Sequence, residues 1–173
     1  MTTQMNQICS RLEQTGARTA LVRGASAPPR PSDTITVAPG VSASLGADGR
    51  HAPLYVTAQA PSGRTVREYD GSDIGAAADC AADLTAERSP RAVWLCARDQ
   101  IRSWWSEDTA EFLEQRLGEA AREADVRLVV WTGERSGTGE NDGTGRNDGT
   151  GERDSSDGDD AAVGDRYDVV LDR

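Results

Sequence analysis

The chain reads as an α/β domain: a mostly parallel β-sheet flanked by helices in a three-layer sandwich, with a disordered acidic insertion before the last strand. Three observations predict this. Residues 92–97 (AVWLCA) and 127–132 (RLVVWT) are nearly continuous apolar runs, as strands buried on both faces require. The longest helical pattern lies between them, and strand, helix, strand over about forty residues is the right-handed crossover of a parallel sheet. Beyond residue 133 the composition collapses into Gly, Asp, Glu, Ser, Thr and Asn, and residues 167–171 (YDVVL) then return to strand character. The 173 residues suffice for one domain with a core and are too few for two. Residues 1–133 should form the α/β core, 134–165 the disordered insertion and 166–173 the terminal strand of the core.

Each element follows from local pattern. Met5, Ile8, Cys9 and Leu12 share one helical stripe, and Gly16 is placed to end that helix. Residues 18–23 (RTALVR) and 33–37 (DTITV) read as strands on either side of a Pro-rich turn, and residues 54–58 and 65–69 as two more. Ser72 or Asp73 can cap a helix reaching about residue 87, with Ile74, Ala77, Ala78, Ala81 and Leu84 inward. Ser106 caps the longest helix, and Glu107 and Asp108 sit in its first turn, where the dipole favours negative charge. Ala110, Leu113, Leu117, Ala120, Ala121 and Ala124 form its inner stripe, leaving Glu111, Glu114, Arg116 and Glu119 to face water.

Charge and composition remove several chemistries. No lysine occurs, against 19 arginines and 29 acidic residues. Schiff-base chemistry, a pyridoxal anchor and an ordinary P-loop contact are therefore excluded. The formal charge is −10, but residues 134–165 hold ten acids and three arginines, which leaves only −3 for the remainder. With lysine excluded and alanine and glycine abundant, the composition resembles that of haloarchaeal proteins, whose acidic surfaces are screened by salt. No run approaches the roughly twenty apolar residues of a membrane span, and no leader pattern opens the chain. The expected location is therefore the cytoplasm, with no membrane contact. Cys9, Cys80 and Cys96 are widely spaced and form neither a disulfide framework nor a zinc motif. No arginine cluster escapes neighbouring carboxylates, so direct nucleic-acid binding is not indicated. No cofactor is called for.

The motifs with chemical content are few. Residues 24–28 (GASAP) fall one glycine short of a nucleophile elbow, and the single histidine, His51, follows a turn, so a Ser26–His51–acid triad is disfavoured. Three hexads, residues 137–142, 143–148 and 149–154, repeat an Asp at 142, 148 and 154. They lack the apolar residue per turn that a calcium solenoid needs, and read as a solvated linker. The remaining candidates cluster where the central buried strand ends: Arg98, Asp99, Arg102, Trp104 and Trp105. Ligands of open α/β sheets bind at that carboxyl edge. Adjacent tryptophans at a helix start cannot both enter one core, so one of them can serve as a contact surface. Asp99 suits a metal or general-base role, although pairing with Arg98 or Arg102 is the commoner fate of such an acid.

From Arg91 onward the chain resembles the second half of a RecA/KaiC-type domain. The resemblance rests on the buried strand at residues 93–97, with Asp99 two positions past its usual acidic end. It continues through the segment EFLEQRLGEAAREADVRLVVWTGE and the terminal YDVVL. In such a family the strand ending at Val22 would lead into GxxxxGK[ST]. Here it leads into GASAPPRP, whose prolines remove the amides that cradle phosphate. The resemblance therefore implies a pseudo-ATPase: a non-catalytic regulatory or adaptor protein with a protein partner docking near Trp104 and Trp105. Two alternatives are a small-molecule or nucleotide binder at the carboxyl edge, where Arg98 and Arg102 meet an anion, and a metal-assisted hydrolase built on Asp99.

Overall fold

The computed structural model describes residues 3–25, 32–40, 52–60, 63–133 and 166–172. Their elements are, in chain order, α1 (Thr3–Thr15), β1 (Thr19–Arg23), β2 (Thr34–Pro39), β3 (Leu54–Ala60), β4 (Gly63–Tyr69), α2 (Ile74–Arg88), β5 (Ala92–Leu95), α3 (Arg98–Trp104), α4 (Glu107–Glu123), β6 (Arg127–Thr132) and β7 (Val169–Asp172). The strands form one seven-stranded sheet in the order β4-β3-β2-β5-β6-β1-β7. Five neighbouring strands, β2, β5, β6, β1 and β7, run parallel. β3 and β4 extend the sheet as an antiparallel meander from β2.

The apolar runs are explained by the two faces they serve. Val93 and Leu95 of β5, Leu128 and Val130 of β6 and Leu21 of β1 join the core beneath α2, α3 and α4. Ala92, Trp94, Val129, Ala20 and Val22 point the other way and pack with Ile8 and Leu12 of α1. A strand covered on both faces has no position for a polar residue, so alternation disappears. On α2, Ala77, Ala78 and Ala81 are fully buried, and their small side chains let the helix lie close to the sheet. Ser89 ends that helix in the left-handed region, φ 45°, with its N–H bonded to the Thr85 carbonyl at 3.0 Å.

The expected α/β architecture holds, with three local differences. Residues 98–104 form a short helix of their own. Asp73 occupies the N-cap position of α2, but its side chain makes no capping bond, whereas Ser106 caps α4 by accepting from the Thr109 N–H at 3.1 Å. Glu114 does not face water: it is buried at 9% exposure, because it projects under the start of α3 toward Arg98. None of the described helices is long and apolar enough to cross a membrane. The insertion expected over residues 134–165, its three hexads, Ser26 and His51 lie outside the described residues.

Candidate functional site

Parallel strands deliver their carboxyl ends to one edge of the sheet, and the described chain brings small residues there. Gly24 follows β1 and donates to the Thr132 carbonyl at 3.2 Å, while its own carbonyl accepts from Trp131 Nε1 at 3.1 Å. Gly40 follows β2 and donates to the Pro53 carbonyl at 2.7 Å. A Cβ at Gly40 would lie 2.8 Å from both Pro53 and Tyr55, so the close approach admits only glycine. Ala97 turns the chain out of β5 in the left-handed region, φ 55°, and α3 starts at the next residue.

That turn sets the fates of the candidate side chains. Asp99, in the first turn of α3, accepts from the Gly133 N–H at 2.9 Å, which ties the ends of β5 and β6 together across the edge. It makes no ion pair among the described residues, so the pairing with Arg98 or Arg102 does not form. Arg98 points inward instead and is 4% exposed. Its guanidinium is gripped by Glu107 and Glu114 of α4. Burial opposes its charge, but hydrogen bonding and attraction from the two carboxylates outweigh that and raise its pKa. Arg102 lies one turn beyond Asp99 and reaches Glu107 only at 3.7 Å, remaining 26% exposed. Trp104 and Trp105 meet edge to face, with ring centroids 6.2 Å apart. Both are half-buried. Trp105 packs on the core, and its indole N–H is buried without a hydrogen-bond partner among the described residues.

Five candidate residues thus separate into three kinds. Arg98 is a buried structural cation, Trp105 packs against the core, and Asp99, Arg102 and Trp104 remain for the edge. Among the described residues no group of three or more His, Cys, Asp and Glu converges to hold a metal ion. Cys9 and Cys96 are buried and Cys80 is half-buried, and the three form no disulfide among the described residues. Sequence reasoning missed Gly133, whose amide orients Asp99, and the two glutamates that consume Arg98. A glycine directly after a buried strand was the available signal for the first. No local signal marked the second, because Arg98 and Glu114 lie 16 residues apart.

Two clefts of about 380 Å³ lie away from this edge. One is between β4 and α2, lined by Arg67, Tyr69, Cys80, Asp83 and Glu87. The other runs beside α4, lined by Thr19, Glu111, Glu114, Arg122, Arg166 and Tyr167. Tyr167 places its hydroxyl in the interior, and burial first, then the charge of Glu114, push its phenol above the usual range.

No family model and no curated protein matches the chain. Among solved structures it is similar to RuvC of Thermus thermophilus. One is that protein in complex with a Holliday junction substrate, with 15% identity over 60% of this chain and 65% of that one and a TM-score of 0.38. The other is T. thermophilus RuvC alone, with 16% identity over 58% and 63% and a TM-score of 0.36. The match therefore spans less than two thirds of either RuvC chain. These structures are RuvC and not RecA or KaiC, so the RecA/KaiC resemblance is corrected. The pseudo-ATPase reading, the haloarchaeal attribution and the regulatory adaptor built on a RecA-like core are withdrawn with it. The pattern that suggested them, a buried strand, an amphipathic helix and a further buried strand, is shared by parallel α/β sheets in general. The β2–β3–β4 meander formed no part of that pattern.

Proposed function

We propose that the carboxyl edge around Asp99 is a nucleotide-binding site. The observation that carries this reading is the placement of Asp99. Its carboxylate stands at the open ends of the central parallel strands, oriented by the Gly133 amide and with no cation neutralising it among the described residues. One oxygen is held by the protein, which leaves acceptor capacity for a hydroxyl or amino group of a ligand. Arg102, weakly engaged by Glu107, supplies a guanidinium suited to phosphate. Trp104 offers a partly open ring on which a base can stack. Cysteines that are not joined in disulfides suit a reducing cytoplasm, the compartment this reading assumes.

Thermal unfolding with mono-, di- and trinucleotides, and with single-stranded and branched DNA, tests the reading. A ligand at one hundred times its Kd should add about 2.7 kcal/mol of stability. Asp99→Asn keeps an acceptor for Gly133 and removes the charge; with Arg102→Ala it should abolish that gain. A gain retained in both variants, or none with any ligand, contradicts the proposal. Asp99-dependent release of DNA fragments in Mg²⁺ would replace it with a hydrolase.

A further inference from the structure

The edge strand β4 carries a sequence that is complementary to itself. Among the described residues β4 closes one side of the sheet, with β3 as its only strand neighbour. Arg64, Val66, Arg67 and Glu68 are exposed along it. Val66 is 47% exposed, the most open of the large apolar side chains among the described residues. Arg64, Val66 and Glu68 share one face of the strand, since side chains alternate. Neither Arg64 nor Glu68 has an ion-pair partner among the described residues. From this arrangement we propose that β4 is a homodimer interface. Two copies pair their β4 strands antiparallel about a two-fold axis at Val66, joining the sheets into one of fourteen strands, twice the seven of each chain.

The register decides the matter. With the axis at Val66, Arg64 of each chain lies opposite the partner's Glu68, Thr65 opposite the partner's Arg67, and Val66 opposite the partner's Val66. Every strand residue from Gly63 to Tyr69 then has a counterpart, and both exposed ion pairs are satisfied by symmetry. Opposite charges directly across an antiparallel pair stabilise it, and like charges destabilise it. Moving the axis to Arg67 sets that arginine against its own copy. Moving it to Arg64 or Glu68 likewise opposes like charges, and moving it to Thr65 leaves Arg64 facing Val66 and strands Glu68 beyond the pairing.

Backbone geometry agrees. β3 and β4 are joined by two residues, so Ala60 and Gly63 form the first hydrogen-bonded pair. Counting from there, Arg64, Val66 and Glu68 turn their peptide groups away from β3 and toward the open side. An axis at Val66 places these outward groups opposite one another. Charges on an edge strand ordinarily block pairing; here their order permits one partner and one register. The other edge, β7, has four residues and no cation within the strand, so it lacks this complementarity.

Sedimentation equilibrium on the full chain tests the proposal at near-physiological salt. Wild type should sediment at twice the 18.4 kDa chain mass. Glu68→Arg and Arg64→Glu should each yield monomers, because each creates two like-charge contacts. The double exchange Arg64→Glu with Glu68→Arg should restore the dimer, and the restoration rules out misfolding as the cause of dissociation. Val66→Cys should give an interchain disulfide under mild oxidation. A monomeric wild type, a dimer indifferent to Glu68→Arg, or a double variant that stays monomeric overturns the proposal.

Discussion

Arg98 shows how one residue's role can be inverted by its surroundings. As a cation beside a strand end it invited an anionic ligand, yet in the fold it is 4% exposed and held by Glu107 and Glu114. A buried charge is tolerated only while its partners remain, and breaking such a pair from one side costs about 3–5 kcal/mol. Arg98→Met should lower the unfolding free energy in urea by an amount of that order. Arg98→Met combined with Glu114→Met should recover much of the loss, because no buried carboxylate is then left unpaired, while Glu107 is half-exposed to water and still faces Arg102. If the double variant is no more stable than the single one, the pair does not account for the cost. Glu114 also marks a limit of sequence reading. It lies beside Leu113 and Leu117 on the helix, and only the distant guanidinium explains why a carboxylate is buried there.

At the scale of elements, the attachment of β7 depends on a reciprocal clasp. The Asp168 carboxylate accepts the N–H groups of Arg18 and Thr19 at 2.8 and 3.0 Å, and the Thr19 hydroxyl accepts the Asp168 N–H at 3.0 Å. Those backbone bonds favour the ionised form and hold the Asp168 pKa below its usual value. Because the folded pKa is the lower one, the clasp contributes fully above the unfolded pKa of about 4 and fades as pH falls through the folded value. The protection factors of the β7 amides, taken against the intrinsic exchange rate at each pH, should therefore fall on acidification, and Asp168→Asn should show the low protection already at neutral pH. Equal β7 protection in both proteins would show that the clasp does not hold the strand. Most elements were legible because their patterns are local: the two-faced strands β5 and β6, the alanine face of α2, the Ser106 cap. α3 was not, since RDQIRSW offers little periodicity and its start depends on the left-handed turn at Ala97. Strand order was not legible either. Pairs such as Ala20 with Val169 join residues too distant for any local signal.

For the whole molecule, the sheet gathers the ends of its parallel strands at one edge and leaves β4 open at one side. The carboxyl edge was visible in the sequence as candidate residues near Asp99, because a strand buried on both faces announces where it ends. What Asp99 would touch was not visible, since the Gly133 amide arrives from a strand completed 34 residues later. The RecA-type assignment failed at this scale, because it was drawn from one crossover unit and not from the complete sheet. Amide chemical-shift mapping during nucleotide titration tests the central claim most directly. Shifts should concentrate at Asp99, Arg102, Trp104 and Gly133 and vanish in Asp99→Asn. Shifts confined to the cleft around Arg122 and Tyr167, or no shifts at saturating nucleotide, would contradict it.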